Sequence, residues 1–135
     1  MMGATVVSPE VEMDAVDLRI KRIYEPVGAD DGARVLVDGI WPRGISKERA
    51  SLHSWRKDVA PSRDLRTWFG HRVDRWSSFR ERYRSELASN GAVLDLVELL
   101  GTGRVTLLYS ARDERHNQAV VLGEVLTERC TASRS

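Results

Sequence analysis

Val105-Thr106-Leu107-Leu108-Tyr109, followed directly by Ser110-Ala111-Arg112-Asp113, is the stretch that decides the fold. Its first five residues form a short apolar run, which predicts a strand buried on both faces. A second run of this kind, Val35-Leu36-Val37, ends at Asp38-Gly39. Strands of this character are typical of parallel sheets that are covered by helices.

Helical patterns lie between and after these two runs. Ser62 is a suitable N-cap for a helix that ends at Gly70. A longer helix is predicted after Asp74, which is a reasonable N-cap. Its apolar residues recur at intervals of three, four and four and predict one buried face: Trp76, Phe79, Tyr83 and Leu87. Two further apolar patterns, over residues 93–100 and 119–126, predict a helix before and a helix after the 105–109 strand.

Together with a first strand near residues 18–24, this order predicts an α/β fold. We expect a small, mainly parallel sheet with helices packed on its faces, in a single domain. The domain is predicted to span residues 17–128. A flexible N-terminal extension would precede it at residues 1–16, and a C-terminal tail would follow it at residues 129–135.

Composition excludes several classes of protein. The chain has 135 residues, of which 41% are hydrophobic and 30% charged, and this suffices for one domain with its own core. No apolar run approaches the roughly 18 residues of a membrane span, and the first 15 residues lack the pattern of a secretory signal. The single cysteine, Cys130, cannot form an internal disulfide. We therefore expect a cytoplasmic protein without membrane contact and, since no nucleotide or cofactor motif occurs, without a cofactor.

Charge is unevenly distributed along the chain. Residues 41–85 carry twelve Lys and Arg against five Asp and Glu, although the whole chain has a formal net charge of only +1. A basic segment favours an anionic partner, and its aromatic residues leave nucleic acid open as that partner. The alternative interpretation, which we rank first, is a solvated helix face with many ion pairs.

Polar residues follow both buried strands. Because the carboxyl ends of parallel strands meet at one edge of a sheet, where open α/β sheets bind ligands, we expect the two loops to lie close together. Asp38, Trp41 and Arg43 lie in the first loop. The second loop supplies three more candidates for binding an anion, namely Ser110, Arg112 and Asn117.

Each candidate has a chemical role and a structural alternative. Arg43 and Arg112 match planar oxyanions through paired N–H groups, and Ser110 would bind an anion with the amides of a helix that starts just after it. Asp38 would orient Arg43 or act as a base. Alternatively, Asp38 pairs with Arg43 and caps the loop, Trp41 packs in the core, and Ser110 or Asp113 caps the helix.

The outer candidates for the same site are Lys57, His71 and Tyr109. His116 lies near the second loop. The three histidines do not have the spacing of metal ligands, so no metal site is predicted.

Four segments of this chain resemble the YeaO-like branch of the domain-of-unknown-function family 488, from about Ile20 to Leu126. They are Val35 to Asp38 with Trp41-Pro42-Arg43-Gly44; Trp55 with Lys57-Asp58 and Ala60-Pro61-Ser62, then Leu65-Arg66; Trp68-Phe69-Gly70-His71 followed by Trp76, Phe79, Tyr83 and Leu87; and Thr106 to Asp113 with Asn117 and Ala119. The resemblance implies a small, uncharacterised, cytoplasmic bacterial protein with the α/β fold.

Two positions depart from the family pattern. Gly39 stands where the family usually has arginine, and Gln118 stands where it has histidine. If these positions serve a site, its charge and its capacity for proton transfer are reduced here. The wider family often places cysteine where this chain has Tyr109, so the resemblance disfavours a thiolate mechanism.

Three functions stay open from the sequence. The first is a small-anion site at the strand ends, with or without catalysis. The second is a nucleic-acid-associated or transcription-regulatory protein that uses the basic segment. The third is a non-catalytic interaction module, such as a homodimer, in which the polar loops only hold the fold.

Overall fold

The computed structural model describes residues 16–134. Its one sheet has four strands: β1 (Leu18–Arg22), β2 (Ala33–Leu36), β3 (Ser54–Trp55) and β4 (Val105–Tyr109). They lie in the order β1-β4-β2-β3, and every neighbouring pair is parallel. The predicted α/β fold with a parallel sheet is therefore confirmed. No hydrophobic pattern predicts β3, because this edge strand has only two residues.

Five helices accompany the sheet: α1 (Lys47–Ala50), α2 (Arg63–Phe69), α3 (Trp76–Ala88), α4 (Ala92–Leu100) and α5 (Gln118–Arg134). The Ser62 hydroxyl accepts a hydrogen bond from the Leu65 amide at 3.2 Å, so the predicted cap of α2 is confirmed. The prediction that Asp74 caps α3 is wrong. A 3₁₀ turn over Val73–Arg75 precedes α3, and the Asp74 carboxylate pairs with Arg72 at 2.8 Å instead.

The alternating side chains of β4 separate two clusters of buried residues. Leu107 belongs to the larger cluster, which α2, α3, α4 and α5 cover. Leu108 points to the opposite face and belongs to a smaller cluster with Ile23, Leu36 and Ile45. Because every residue of β4 is buried, this strand forms the centre of the domain and fixes where its carboxyl end emerges.

A compensated charge cluster lies between the sheet and the loop before β2. Arg34 is 5% exposed and donates to Asp31 at 2.6 Å, and Lys21 donates to the same carboxylate at 3.1 Å. Burial raises the pKa of Asp31, but hydrogen bonds from the Gly28 amide, Lys21 and Arg34 outweigh it and hold the pKa below its ordinary value. This buried arginine has the partner that a buried charge requires.

The ends of the domain differ from the prediction in one respect. Helix α5 continues to Arg134, so residues 129–134 of the predicted tail are helical. Residues 1–15 of the predicted extension lie outside the described residues. Within the described residues, no helix has the length and the apolar composition needed to cross a membrane.

We expect Tyr83→Phe to lower the free energy of unfolding by about 1–2 kcal/mol. Tyr83 is fully buried, and its hydroxyl donates to the carbonyl oxygen of the buried residue Val59 at 2.6 Å. Phenylalanine keeps the ring but leaves this carbonyl without its donor. Urea unfolding measures the change. Tyr24→Phe is the matched control, because the Tyr24 hydroxyl donates to the Arg43 carbonyl at an exposed site and water replaces it. Equal losses in both variants would contradict this explanation.

Candidate functional site

A cleft of about 840 Å³ lies at the carboxyl ends of β2 and β4. Both loops that follow these strands line it, as expected for neighbouring parallel strands. All six candidate residues contribute to its lining: Asp38, Trp41, Arg43, Ser110, Arg112 and Asn117. Residues from α2 and the segment after it also line the cleft, among them Arg66 and His71.

Asp38 links the two loops. Its carboxylate accepts hydrogen bonds from the Ser110 amide at 3.0 Å and from the side-chain amide of Gln118. Its carbonyl oxygen accepts from the indole N–H of Trp55 at 2.7 Å. No ion pair joins Asp38 to Arg43 among residues 16–134, so the predicted alternative of a closed pair is not what the structure contains. Asp38 therefore connects its own loop to the loop after β4 and to Gln118, the residue after that loop. We call these hydrogen bonds of the Asp38 carboxylate the latch.

The Asp38 carboxylate is buried with neutral donors around it. Asp38 is 7% exposed, and this burial raises the pKa of its carboxyl. Hydrogen bonds from Ser110 and Gln118, and the charge of Arg66, counter the rise only in part. Both oxygens are engaged within the protein, which leaves Asp38 poorly suited to act as a base toward a ligand.

The loop after β4 is capped differently from the prediction. Helix α5 begins at Gln118, and the Asn117 side chain caps it by accepting from the Val120 amide at 3.2 Å. Asp113 caps a separate turn, because its carboxylate accepts from the amides of Arg115 and His116, both at 2.9 Å. The predictions that a helix starts just after Ser110 and that Ser110 or Asp113 caps it are wrong, because residues 114–117 form bends and the helix begins only at Gln118.

Two amides of this loop have no acceptor among the described residues. The Arg22 guanidinium donates to the carbonyl oxygens of Ser110 and Ala111, at 3.2 and 2.8 Å. In a planar trans peptide the N–H points opposite to the C=O, so the amides of Ala111 and Arg112 point away from Arg22. Ala111 and Arg112 line the cleft whereas Arg22 does not, and neither amide donates to a described residue. These amides are the donors that an anion on this side would meet.

Three arginines line the cleft, and none of them forms an ion pair with a carboxylate among residues 16–134: Arg43, Arg66 and Arg112. Arg43 and Arg112 are exposed, whereas Arg66 is half-buried. The Arg66 Nε is buried and donates to no described acceptor. This arrangement contrasts with Arg34, whose charge is matched by Asp31.

Gly39 makes room for the Arg66 side chain. A Cβ atom at position 39 would lie 3.2 Å from the Arg66 guanidinium carbon, closer than ordinary van der Waals contact. The family pattern has arginine at position 39, and this chain has glycine. The cleft keeps a positive charge at this point, because the guanidinium of Arg66 from α2 lies against Gly39.

The remaining candidates are Trp41, Lys57, His71 and Tyr109, of which only Trp41 and His71 line the cleft. The backbone of His71 is in the left-handed conformation, with φ of 59°. The Trp41 indole donates to the Ile45 carbonyl at 2.7 Å and packs edge-on against Trp55 at 5.3 Å between ring centroids, forming a rigid wall. Lys57 does not line the cleft.

Lys57 lies over the ring of Trp55, with its ammonium 5.0 Å from the centroid. Tyr109 is 3% exposed and belongs to the core, where burial raises the pKa of its hydroxyl and the charge of Glu114 adds to the rise. Neither residue reaches the cleft, so the structure does not bring these two outer candidates into the site.

Sequence reasoning named two of the deciding residues only in passing. Gln118 was visible as a polar residue ahead of an apolar helix pattern, but its partner Asp38 is 80 positions away. Arg66 is one charge among many on a short helix, and nothing local marks it as facing a cleft. A pattern within one segment does not reveal contacts that depend on two loops and a helix from different parts of the chain.

The basic segment is compensated only in part. Four of its twelve Lys and Arg form ion pairs with carboxylates of the described residues: Arg56, Arg72, Arg80 and Arg84. Arg75 and Arg82 instead lie over the ring of Trp68, at 4.8 and 4.3 Å from its centroid. Ion pairs therefore account for a third of the basic residues of this segment. Association with nucleic acid stays a prediction. Residues 16–134 contain no cluster of three His, Cys, Asp or Glu that could hold a metal ion.

Comparison with known proteins places this arrangement in a family. Residues 17–135 match the family DUF488-N3i, described as the inactive DUF488-N3 subclade. The uncharacterized protein Rv3073c of Mycobacterium tuberculosis is 42% identical over 112 residues, which are 83% of this chain and 95% of that protein. The uncharacterized protein YeaO of Escherichia coli is 39% identical over 112 residues, which are 82% of this chain and 97% of that protein. These matches confirm the resemblance to YeaO-like proteins, and no solved structure matches the chain.

Proposed function

The chain belongs to the DUF488-N3i family, and from this premise we propose that it is a binding domain whose cleft holds a small ligand by an oxyanion group, without transforming it. One observation carries the proposal. The cleft is lined by three arginines, and none of them forms an ion pair with a carboxylate of residues 16–134, although the charge of Arg66 acts on the nearby Asp38 carboxylate. A charge without a protein partner is stabilised by an anion from solution, and guanidinium groups match carboxylate and phosphate oxygens in pairs.

The backbone supports the same ligand. The amides of Ala111 and Arg112 point away from Arg22 and have no acceptor among the described residues. Consecutive free N–H groups form a concavity that favours an anion. Together with the arginines they offer the combination of charge and directed donors that binds an oxyanion group.

The absence of a reaction is part of the proposal. The family description names an inactive subclade. Within the described lining of the cleft, both Asp38 oxygens accept hydrogen bonds and the Asn117 side chain caps α5. His71 also lines the cleft, but no described residue orients its imidazole through a hydrogen bond. The lining contains no cysteine.

Titration of the ¹⁵N-labelled protein with inorganic phosphate tests the proposal. We expect saturable shifts of the Ala111 and Arg112 amide resonances, because these N–H groups would meet the anion. Chloride at matched ionic strength is the control for screening. Shifts that spread over all basic surfaces without saturating, or that leave residues 110–113 unchanged, would contradict the proposal.

We expect Gly39→Ala to weaken phosphate binding by about threefold to tenfold while changing stability by less than about 1 kcal/mol. The added methyl group displaces the Arg66 guanidinium, which is the end of a flexible side chain and can move. Isothermal titration calorimetry measures the affinity, and urea unfolding measures the stability.

Gly91→Ala is the matched control for this variant, because a Cβ atom there meets nothing within 4 Å. Phosphate binding should be unchanged in that variant. Unaltered binding in Gly39→Ala would show that Arg66 does not contact the anion.

A further inference from the structure

The cleft is much larger than the group that its arginines would hold. A water molecule occupies about 30 Å³ in the liquid, and an oxyanion of five heavy atoms displaces only a few waters. The cleft volume of about 840 Å³ lies in the range of pockets that enclose organic ligands, about 300–1,000 Å³. A phosphate or sulfate ion alone would leave most of this space to solvent.

One loop supplies both an arginine and an apolar wall. Ile40, Trp41 and Pro42 line the cleft immediately before Arg43. The Trp41 ring is held in place by its hydrogen bond to the Ile45 carbonyl and by its contact with Trp55. This wall therefore exists before any ligand binds, which lowers the entropy cost of binding against it.

Ile40 is the most exposed large apolar residue of the described chain, with 67% of its surface open to solvent. Its exposed side chain contributes little to the core, and it stands three residues from a cleft arginine. The rings of Phe69 and Phe79 also line the cleft and stack with centroids 4.2 Å apart, but both residues are almost wholly buried. The accessible apolar surface next to the charged part of the cleft is therefore that of the loop with Ile40 and Trp41.

Resting on the proposed function, we propose that the ligand is an amphipathic organic anion: a carboxylate or phosphate head on a flat apolar body. The head contacts the arginines and the free amides of the second loop. The body lies against Ile40 and Trp41, where burial of apolar surface adds to the affinity. An anion with a polar body has no such partner in this wall.

The test compares ligands that share one head. Inorganic phosphate, glycerol 3-phosphate and phenyl phosphate are titrated calorimetrically into the wild-type protein, with benzoate reporting on a carboxylate head. We expect phenyl phosphate to bind at least about tenfold more tightly than the other two phosphates. Acetate is titrated as the carboxylate without an apolar body. If benzoate also binds about tenfold more tightly than acetate, the result extends to carboxylates. If benzoate does not bind, the head is restricted to phosphate.

Ile40→Ser separates the body from the head. We expect it to weaken phenyl phosphate binding by about fivefold and to leave inorganic phosphate binding unchanged. Val27→Ser is the control, because Val27 is a 48% exposed loop residue that does not line the cleft.

The outcomes distinguish this inference from the proposed function. Equal affinities for all three phosphates, or tighter binding of glycerol 3-phosphate, would overturn the inference and leave the anion site standing. No binding of any phosphate would overturn both. A loss of inorganic phosphate binding in Ile40→Ser would assign Ile40 to the shape of the head site and would also overturn the inference.

Discussion

Replacing Asp38 by alanine is expected to lower the free energy of unfolding by about 2–4 kcal/mol. The substitution removes the acceptor of two shielded donors, the Ser110 amide and the Gln118 side chain, which lie in the loop after β4 and at the start of α5. Urea unfolding followed by circular dichroism measures the loss. Asp113→Ala is the control, because that carboxylate also accepts loop amides but its side chain is 36% exposed. A loss no larger than that of the control would contradict the latch.

A swap of donor and acceptor tests the latch without removing its atoms. Asp38→Asn keeps one oxygen for the Ser110 amide and turns an NH2 group toward the Gln118 NH2, which must rotate to present its oxygen instead, and we expect a loss of about 1 kcal/mol. In Asp38→Asn with Gln118→Glu, the new amide donates to the new carboxylate, and at least half of the loss should return. Failure of the double variant to recover would show that Gln118 contributes nothing specific to this contact.

The buried position of Asp38 also gives the expected dependence of stability on pH. Burial raises its pKa above the ordinary value of 3.8, so the folded protein keeps this proton in a pH range where the unfolded chain has lost it. The associated stability is greatest below pH 3.8 and declines as pH rises through the folded pKa. The stability of the wild type relative to Asp38→Asn should therefore fall with rising pH. A difference that rises over this range would contradict the direction of the shift.

The second large effect concerns the cleft arginines. We expect the triple variant Arg43→Gln, Arg66→Gln and Arg112→Gln to bind inorganic phosphate at least about 100-fold more weakly than the wild type. Each guanidinium lines the cleft and forms no direct ion pair among the described residues, so each is available to a ligand oxygen. The loss is expected in calorimetry at fixed ionic strength. Stability should fall only modestly, because no ion pair of the described residues is broken and only the attraction between Arg66 and the Asp38 carboxylate is lost.

A matched variant separates local contact from total charge. Arg19→Gln, Lys47→Gln and Arg63→Gln remove the same charge from exposed positions outside the cleft. If phosphate binding depends on contact, this variant should lose no more than about threefold. Comparable losses in both variants would show that phosphate responds only to net charge.

The sequence predicts most of the fold because local chemistry decides it. The apolar runs of β2 and β4 and the Ser62 cap follow from residues that are neighbours in the chain. The two-residue strand β3 and the 3₁₀ turn before α3 escape prediction, since the first exists only by pairing with β2 and the second competes with a helix start at Asp74. The sheet order likewise depends on packing between distant segments.

The site is less predictable than the fold. The placement of two polar loops at one edge follows from parallel strands, and both loops line the cleft. The spacing of residues in the sequence does not show which side chains of these loops hold the protein together and which face a ligand. Asp38 and Asn117 have the side chains expected of ligand-binding residues but serve as latch and cap, whereas the Arg66 guanidinium lies where a side chain at position 39 would crowd it.

Crystals of the protein soaked with selenate provide the most direct measurement of the central claim, because anomalous scattering locates the anion without prior assumptions. We expect one selenate between Arg43, Arg66 and Arg112, accepting hydrogen bonds from the Ala111 and Arg112 amides. Selenate found only at other basic surfaces, such as the arginines over Trp68, with the cleft free of anomalous signal, would contradict it.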